Sequence, residues 1–227
     1  MTIEQLQRNI DEVRANLKRA ARGFDYEVEL CAVTKTVDED IINMAAECGI
    51  SVIGENRVQE ACRKFPALNP HLRLHIIGQL QTNKVKYIIE HAAMIQSLDR
   101  IELAAQIDRQ ARRIGKVMPV LVQVNIAEEE QKSGVSELEL MDLLHACSDL
   151  QGLSVRGLMA IMPFVEDPET IRPYFRRMRA LFDQVRALNI SNITMECLSM
   201  GMSGDYIIAA EEGATMVRVG SSIFGSR

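Results

Sequence analysis

Three short stretches of the chain carry residue types that could do chemistry. The first, Cys31-Ala32-Val33-Thr34-Lys35-Thr36, is an apolar run that closes on a lysine. A lysine at the mouth of a barrel can be desolvated, which would lower its pKa enough for the amine to attack an aldehyde. The other two are Ser199-Met200-Gly201-Met202-Ser203-Gly204 and Arg218-Val219-Gly220-Ser221-Ser222. Glycines let backbone N–H groups approach an anion closely, serine hydroxyls add donors, and a following helix start adds positive potential. The plain alternatives are an ordinary surface lysine ending a strand and two turns that simply use turn residues. The sequence holds neither a Walker A motif nor a G-x-G-x-x-G, so the loops do not suggest a nucleotide.

The elements that must position these residues read as follows. The stretch from Met1 to Phe24 is an amphipathic helix, with Ile3, Leu6, Ile10, Val13 and Leu17 at helical spacing. Short apolar, β-branched runs then alternate with longer stretches of helix formers. The runs are Val28–Val33, Ser51–Ile53, Leu72–Ile77, Ala93–Gln96, Val117–Val124, Ser154–Leu158, Ile193–Leu198 and Thr215–Val219. Helices are expected over Asp38–Cys48, Arg100–Ile114, Ser136–Ser148, Pro168–Leu188 and Asp205–Glu212, with Asp38, Asp99, Ser136 and Asp167 as N-caps. Strand–helix alternation argues for a parallel sheet. Eight units favour a closed (β/α)8 TIM-type barrel with an extra N-terminal helix over an open doubly wound sheet. No linker or repeat divides the chain, so residues 1–227 are read as one domain.

Active sites of this fold lie at the C-terminal ends of the strands, and phosphate is often held after strands seven and eight. The two Gly/Ser loops fall at those positions, and Lys35 falls at the exit of strand one. Together they describe a site for a phosphorylated aldehyde. The bulk numbers exclude other classes. The formal charge is −5, from 26 basic and 31 acidic residues, which does not suit a protein that coats nucleic acid or an anionic membrane. No apolar run is long enough to span a bilayer and the N-terminus lacks a signal peptide pattern, so a cytoplasmic protein is expected. The five cysteines form no C-x-x-C, and free thiols are expected rather than a disulfide framework or a zinc site.

With these pieces in order, the chain resembles the YggS/PROSC-type pyridoxal 5′-phosphate (PLP) homeostasis family, whose barrel is similar to the N-terminal domain of alanine racemase. The resemblance runs from about Val33 to Gly225. It rests on Ala32-Val33-Thr34-Lys35, Gly54-Glu55-Asn56-Arg57-Val58-Gln59-Glu60, His75-Ile76-Ile77-Gly78-Gln79-Leu80-Gln81-Thr82-Asn83-Lys84, Val124-Asn125 with Glu129, Lys132 and Gly134, and Gly157-Leu158-Met159. Ser199-Met200-Gly201-Met202-Ser203 and Val217-Arg218-Val219-Gly220-Ser221-Ser222-Ile223-Phe224-Gly225 complete it. The resemblance implies PLP held as an internal aldimine on Lys35, a phosphate cup of Ser199, Ser203, Gly220 and Ser221, and Arg218 facing the pyridine nitrogen. It also implies Asn56 near the ring, with Met159, Met200 and Gly201 among the cofactor-binding positions. Gly204 departs from the acidic residue expected in many relatives. An arginine can only donate, so it would leave the ring nitrogen unprotonated and the ring a weak electron sink.

The implied function is PLP storage and transfer, with PLP-dependent apoenzymes as recipients, and no turnover. The expected state is a monomer or weak dimer. The rival is a one-domain amino-acid racemase. Racemases of the related barrel draw a tyrosine base from a second domain, and that domain is not expected here because the chain ends soon after Phe224; Tyr206 alone lies near the proposed loops. A third reading makes the helix with Arg172, Arg176, Arg177, Arg179 and Arg186 a docking face for an acidic partner, against the plainer reading of a solvated face. His75 and Gln81 to Lys84 could orient loops, Asn125, Glu129 and Lys132 could tie down the loop after strand five, and His71 with His75 is read as non-metal.

Overall fold

The computed structural model describes residues 1–129 and 133–225. Eight parallel strands close into a barrel in sequential order: β1 Glu29–Val33, β2 Val52–Glu55, β3 Arg73–Ile76, β4 Ala92–Leu98, β5 Met118–Gln123, β6 Leu153–Met159, β7 Ile193–Ser199 and β8 Met216–Val219. Each expected run contains or overlaps one strand. Closure is direct, since Glu29 to Ala32 pair in register with Met216 to Val219, and the open sheet is thereby excluded. Both faces of these strands are covered, which is why they read as near-continuous apolar runs.

The outer helices are α1 Ile3–Ala20, α2 Glu39–Glu47, α3 Val58–Lys64, α4 Val85–Ile88, α5 Ile101–Arg113, α6 Glu137–Ser148, α7 Arg172–Ala187, α8 Tyr206–Glu211 and α9 Ser221–Phe224. α1 buries Leu6, Ile10, Val13 and Leu17. Ile3 is instead exposed, because it opens the helix before the buried stripe begins. α1 packs on α8 and α9, and Asn9 donates to the Ile223 carbonyl. This covers the outer side of the β8 end of the barrel.

The caps divide. Ser136 forms a full capping box with Glu139, and Asp167 accepts from the Glu169 amide. Asp38 stands at its N-cap position without a side-chain bond. Asp99 is not a cap: that position is Arg100, and the Asp99 carboxylate is taken up by the Arg100 guanidinium. The expected helix over Pro168–Leu188 opens as a 3-10 turn, Pro168–Ile171, before α7. A second proline, Pro173, sits in the first turn of α7, where its missing N–H costs nothing.

Candidate functional site

At the C-terminal ends of β1, β7 and β8 lies a cavity of about 320 Å³. Its wall is made by Val33, Lys35, Met202, Ser203, Gly204, Arg218, Gly220, Ser221 and Gly225. A larger space of about 970 Å³ opens at the other end of the barrel. There the charged groups already answer one another, as in the pairs Arg73–Glu29 and Arg156–Glu196. The smaller cavity is lined by two cations, Lys35 and Arg218, that form no salt bridge among the described residues.

Lys35 is exposed, in a turn right after β1. No described residue forms a hydrogen bond or ion pair with its amine. Arg218 is 3% exposed. Its Nη1 donates to Ser199 Oγ at 2.7 Å and its Nη2 to the Ala160 carbonyl at 2.7 Å. No described carboxylate forms a salt bridge with it. Burial pulls its pKa below the ordinary arginine value, with the Cys31, Asp205 and Cys197 groups acting in the opposite sense. Burial also pushes the Cys31 thiol up to about 12, so that thiol is no counter-charge at neutral pH. A buried guanidinium without an anion is costly. A ligand that brings acceptors to this wall lowers that cost.

Also on the lining, Ser203 Oγ accepts from the Gly220 amide at 3.0 Å and lies 3.5 Å from the Ser222 amide. The start of α9 thus gathers backbone donors at one oxygen, beside the exposed Ser221. Gly201 serves packing. Its φ is +94°, and a Cβ there would stand 2.5 Å from the Ala209 Cβ of α8. Its carbonyl accepts from the Arg218 amide, tying the β7 loop to β8.

The structure therefore brings Lys35, Ser203, Arg218, Gly220 and Ser221 to one cavity and leaves the other expected residues off its wall. Ser199 is fully buried and spends its hydroxyl on Arg218 and Gln96, so in this arrangement it holds the arginine. Met159 and Met200 are fully buried core residues. Asn56 is exposed, its backbone pressed against Gly78, where a Cβ would lie 2.3 Å from the Asn56 carbonyl oxygen. It does not cap α3, whose N-cap position is Arg57. Gly204 is exposed on the wall, and the carboxylate at the start of α8 belongs to Asp205, which accepts from the Met202 amide. The Tyr206 hydroxyl accepts from Asn16 of α1, so it faces the outer shell. Asn125 does tie down its loop, donating to the Glu129 carbonyl and accepting from the Glu129 amide; Lys132 lies outside the described residues. The arginines of α7 are paired, with Glu169, Glu211, Glu212, Glu137 and Asp183, as a solvated face requires.

Sequence reading missed the support beneath the Lys35 turn. Lys64 is fully buried at the end of α3. Its Nζ reaches Glu60 Oε1 at 2.6 Å, the Thr34 carbonyl at 2.8 Å and Glu55 Oε1 at 3.0 Å. Glu55 also accepts from the Thr34 hydroxyl at 2.7 Å, and Glu60 accepts from the Thr36 amide at 2.6 Å. Thr36 has φ +60°, uncommon for a β-branched residue and of order 1–3 kcal/mol in cost. The network holds both sides of Lys35 and stabilises that turn. Burial alone pushes both carboxyls up. Glu55 stays raised, whereas bonds from Lys64 and the Thr36 amide bring Glu60 below its usual range. The i,i+4 spacing of Glu60 and Lys64 was a legible signal; the burial of Lys64 was not.

The model of the alanine racemase N-terminal domain matches residues 8–227. The chain is 43% identical to the pyridoxal phosphate homeostasis protein of Aquifex aeolicus, over 99% of this chain and 97% of that one. It is 38% identical to the protein of the same name from Pasteurella multocida, over 100% and 98%. The structure of PipY of Synechococcus elongatus with PLP bound superposes with a TM-score of 0.86 at 32% identity, covering 97% of this chain and 100% of that one. Alanine racemase of Clostridium difficile, at 14% identity and a TM-score of 0.76 over 57% of its length, shares the barrel fold. From end to end, then, the chain belongs to the pyridoxal phosphate homeostasis proteins of the alanine racemase N-terminal domain family.

Proposed function

We propose that this protein binds PLP in the cavity between β1, β7 and β8, as a Schiff base on Lys35. It stores the reactive aldehyde and hands it to PLP-dependent apoenzymes, acting in the cytoplasm as a monomer or weak dimer and touching amino-acid metabolism indirectly. The observation that carries this reading is that one cavity is lined both by Arg218, a buried guanidinium that makes no salt bridge among the described residues, and by Lys35, whose amine has no partner among them. The donor set fits the group. The amine suits an aldehyde, the Ser203, Gly220 and Ser221 edge suits a phosphate, and Arg218 suits a ring nitrogen that accepts. PipY, whose structure carries PLP, supports it across nearly the full length. PLP itself supplies an electron-withdrawing ring. The chain's own residues supply attachment, anion binding and a donor that leaves the ring nitrogen unprotonated.

The test is an absorption spectrum of the protein mixed with PLP, followed by borohydride reduction and peptide mapping. A yellow protein whose modified peptide contains Lys35 is expected. Modification of a different lysine overturns the assignment. The racemase reading draws on the same barrel. It is disfavoured by the Tyr206 hydroxyl, which is engaged by Asn16 and lies off the cavity wall.

A further inference from the structure

The interior of a (β/α)8 barrel is ordinarily filled by branched apolar side chains. Here a line of polar groups crosses it. Arg218 of β8 donates to Ser199 of β7 at 2.7 Å, the Ser199 hydroxyl lies 2.7 Å from Gln96 Oε1 of β4, and Gln96 Nε2 lies 2.9 Å from His75 Nδ1 of β3. Gln96 Nε2 also meets the Met216 sulfur at 3.2 Å. Ser199, Gln96 and His75 are all within 2% of full burial.

The direction of this line follows from its first member. A guanidinium has donors only. Ser199 therefore accepts from Arg218, and its single proton goes to the carbonyl oxygen of Gln96. That orients the amide, so Nε2 donates to His75 Nδ1. His75 must then be neutral, with its proton on Nε2. Its burial in the barrel acts in the same sense and, with the Arg73 charge, lowers its pKa to about 3. Arg73 itself is paired with Glu29, and Arg156 with Glu196, at that end of the barrel. The line cannot serve as a proton relay, because its head does not give up a proton. What it can do is fix a pose. Ser199 and the Ala160 carbonyl take one N–H from each terminal nitrogen of Arg218 and clamp the plane of the guanidinium at the cavity wall.

We propose that Gln96 is a positioning residue: through Ser199 it sets the aim of Arg218 into the cavity, with neutral His75 closing the line at the far end. This rests on the reading that the cavity takes PLP, and it names the residues that determine how the ring nitrogen is met. Buried networks of this kind rigidify when every member is satisfied, whereas an apolar residue at position 96 would be the cheaper core.

Two variants test it. In Gln96→Glu the carboxylate still accepts from Ser199 but has no proton for His75 Nδ1. His75 must then donate, and ring NMR on the apoprotein should show it titrating at least two pH units above its wild-type value. In Gln96→Met the line is cut. PLP should bind roughly tenfold more weakly or worse, as loss of a hydrogen bond serving a charged group implies, with a displaced absorption maximum and unchanged borohydride labelling of Lys35. Ser199→Ala should reproduce the Gln96→Met spectrum, which guards against misfolding of one variant. Wild-type PLP affinity and absorption maximum in both Gln96→Met and Ser199→Ala overturn the proposal, as does a His75 that keeps its wild-type titration in Gln96→Glu. Failure of the wild-type protein to bind PLP counts against the functional reading instead, since the NMR titration needs no ligand.

Discussion

The amine of Lys64 lies 2.8 Å from the carbonyl oxygen of Thr34, the residue before Lys35. A fully buried cation thus holds the backbone next to the exposed amine proposed to carry the aldehyde. Removing one member of such a buried pair leaves the others uncompensated. Lys64→Met should cost about 3–5 kcal/mol of stability, read by urea unfolding. Replacing Lys64 and Glu55 together by apolar residues should cost less than the single change. A loss under 1 kcal/mol in Lys64→Met would falsify the structural weight given to this network.

Lys35 itself should matter little to folding. It is exposed and without a described partner, so Lys35→Ala should stay within about 0.5 kcal/mol of the wild type. The same variant should lose the yellow colour. Melting in the absence of PLP, beside the spectrum in its presence, separates the two effects.

The phosphate edge can be examined by contrasting PLP with pyridoxal. A Cβ at Gly220 would stand 3.3 Å from the Val33 Cβ, so a bulky side chain there must push into the wall. Gly220→Val should weaken PLP much more than unphosphorylated pyridoxal. Equal losses for both ligands would put the phosphate elsewhere.

Acid should destabilise the fold through His75. In the unfolded chain its ring takes up a proton near pH 6.5, while in the barrel it stays neutral down to about 3. Between those values the unfolded state binds the extra proton. Each pH unit between about 6.5 and 3 therefore costs about 1.4 kcal/mol from this residue alone, with no further change above or below that window. Stability measured against pH should be flatter in His75→Gln over that window. A wild-type slope in the variant would rule His75 out as the cause.

Binding and racemisation should separate. Arg218, proposed to face the ring nitrogen, has donors only and would leave the ring a poor electron sink, and the Tyr206 hydroxyl is engaged by Asn16. A missing base alone costs about 10²–10⁴-fold in rate. Chiral analysis of alanine and serine after long incubation with the PLP-loaded protein should find negligible inversion. Turnover on the order of 1 s⁻¹ would make the racemase the better reading.

Much of this was legible in the chain. The apolar runs and the helical stripe of Leu6, Ile10, Val13 and Leu17 are set by local periodicity, so the strands and α1 could be read directly. The placement of Lys35 after β1 and of the Gly/Ser loops after β7 and β8 was legible because a strand exit and a loop glycine are local features too. Ser199 shows where this stops. A serine in a glycine-rich loop looks like an anion ligand, yet its hydroxyl turns into the barrel, because β7 places it beside Arg218 of β8 and Gln96 of β4. Lys64, an ordinary helix lysine by sequence, becomes a buried cation once α3 packs against β2 and its amine reaches Glu55 and the Thr34 carbonyl after β1. Closure of the barrel decides which side chains share an interior. That depends on pairings far apart in sequence, and no window of neighbouring residues contains them.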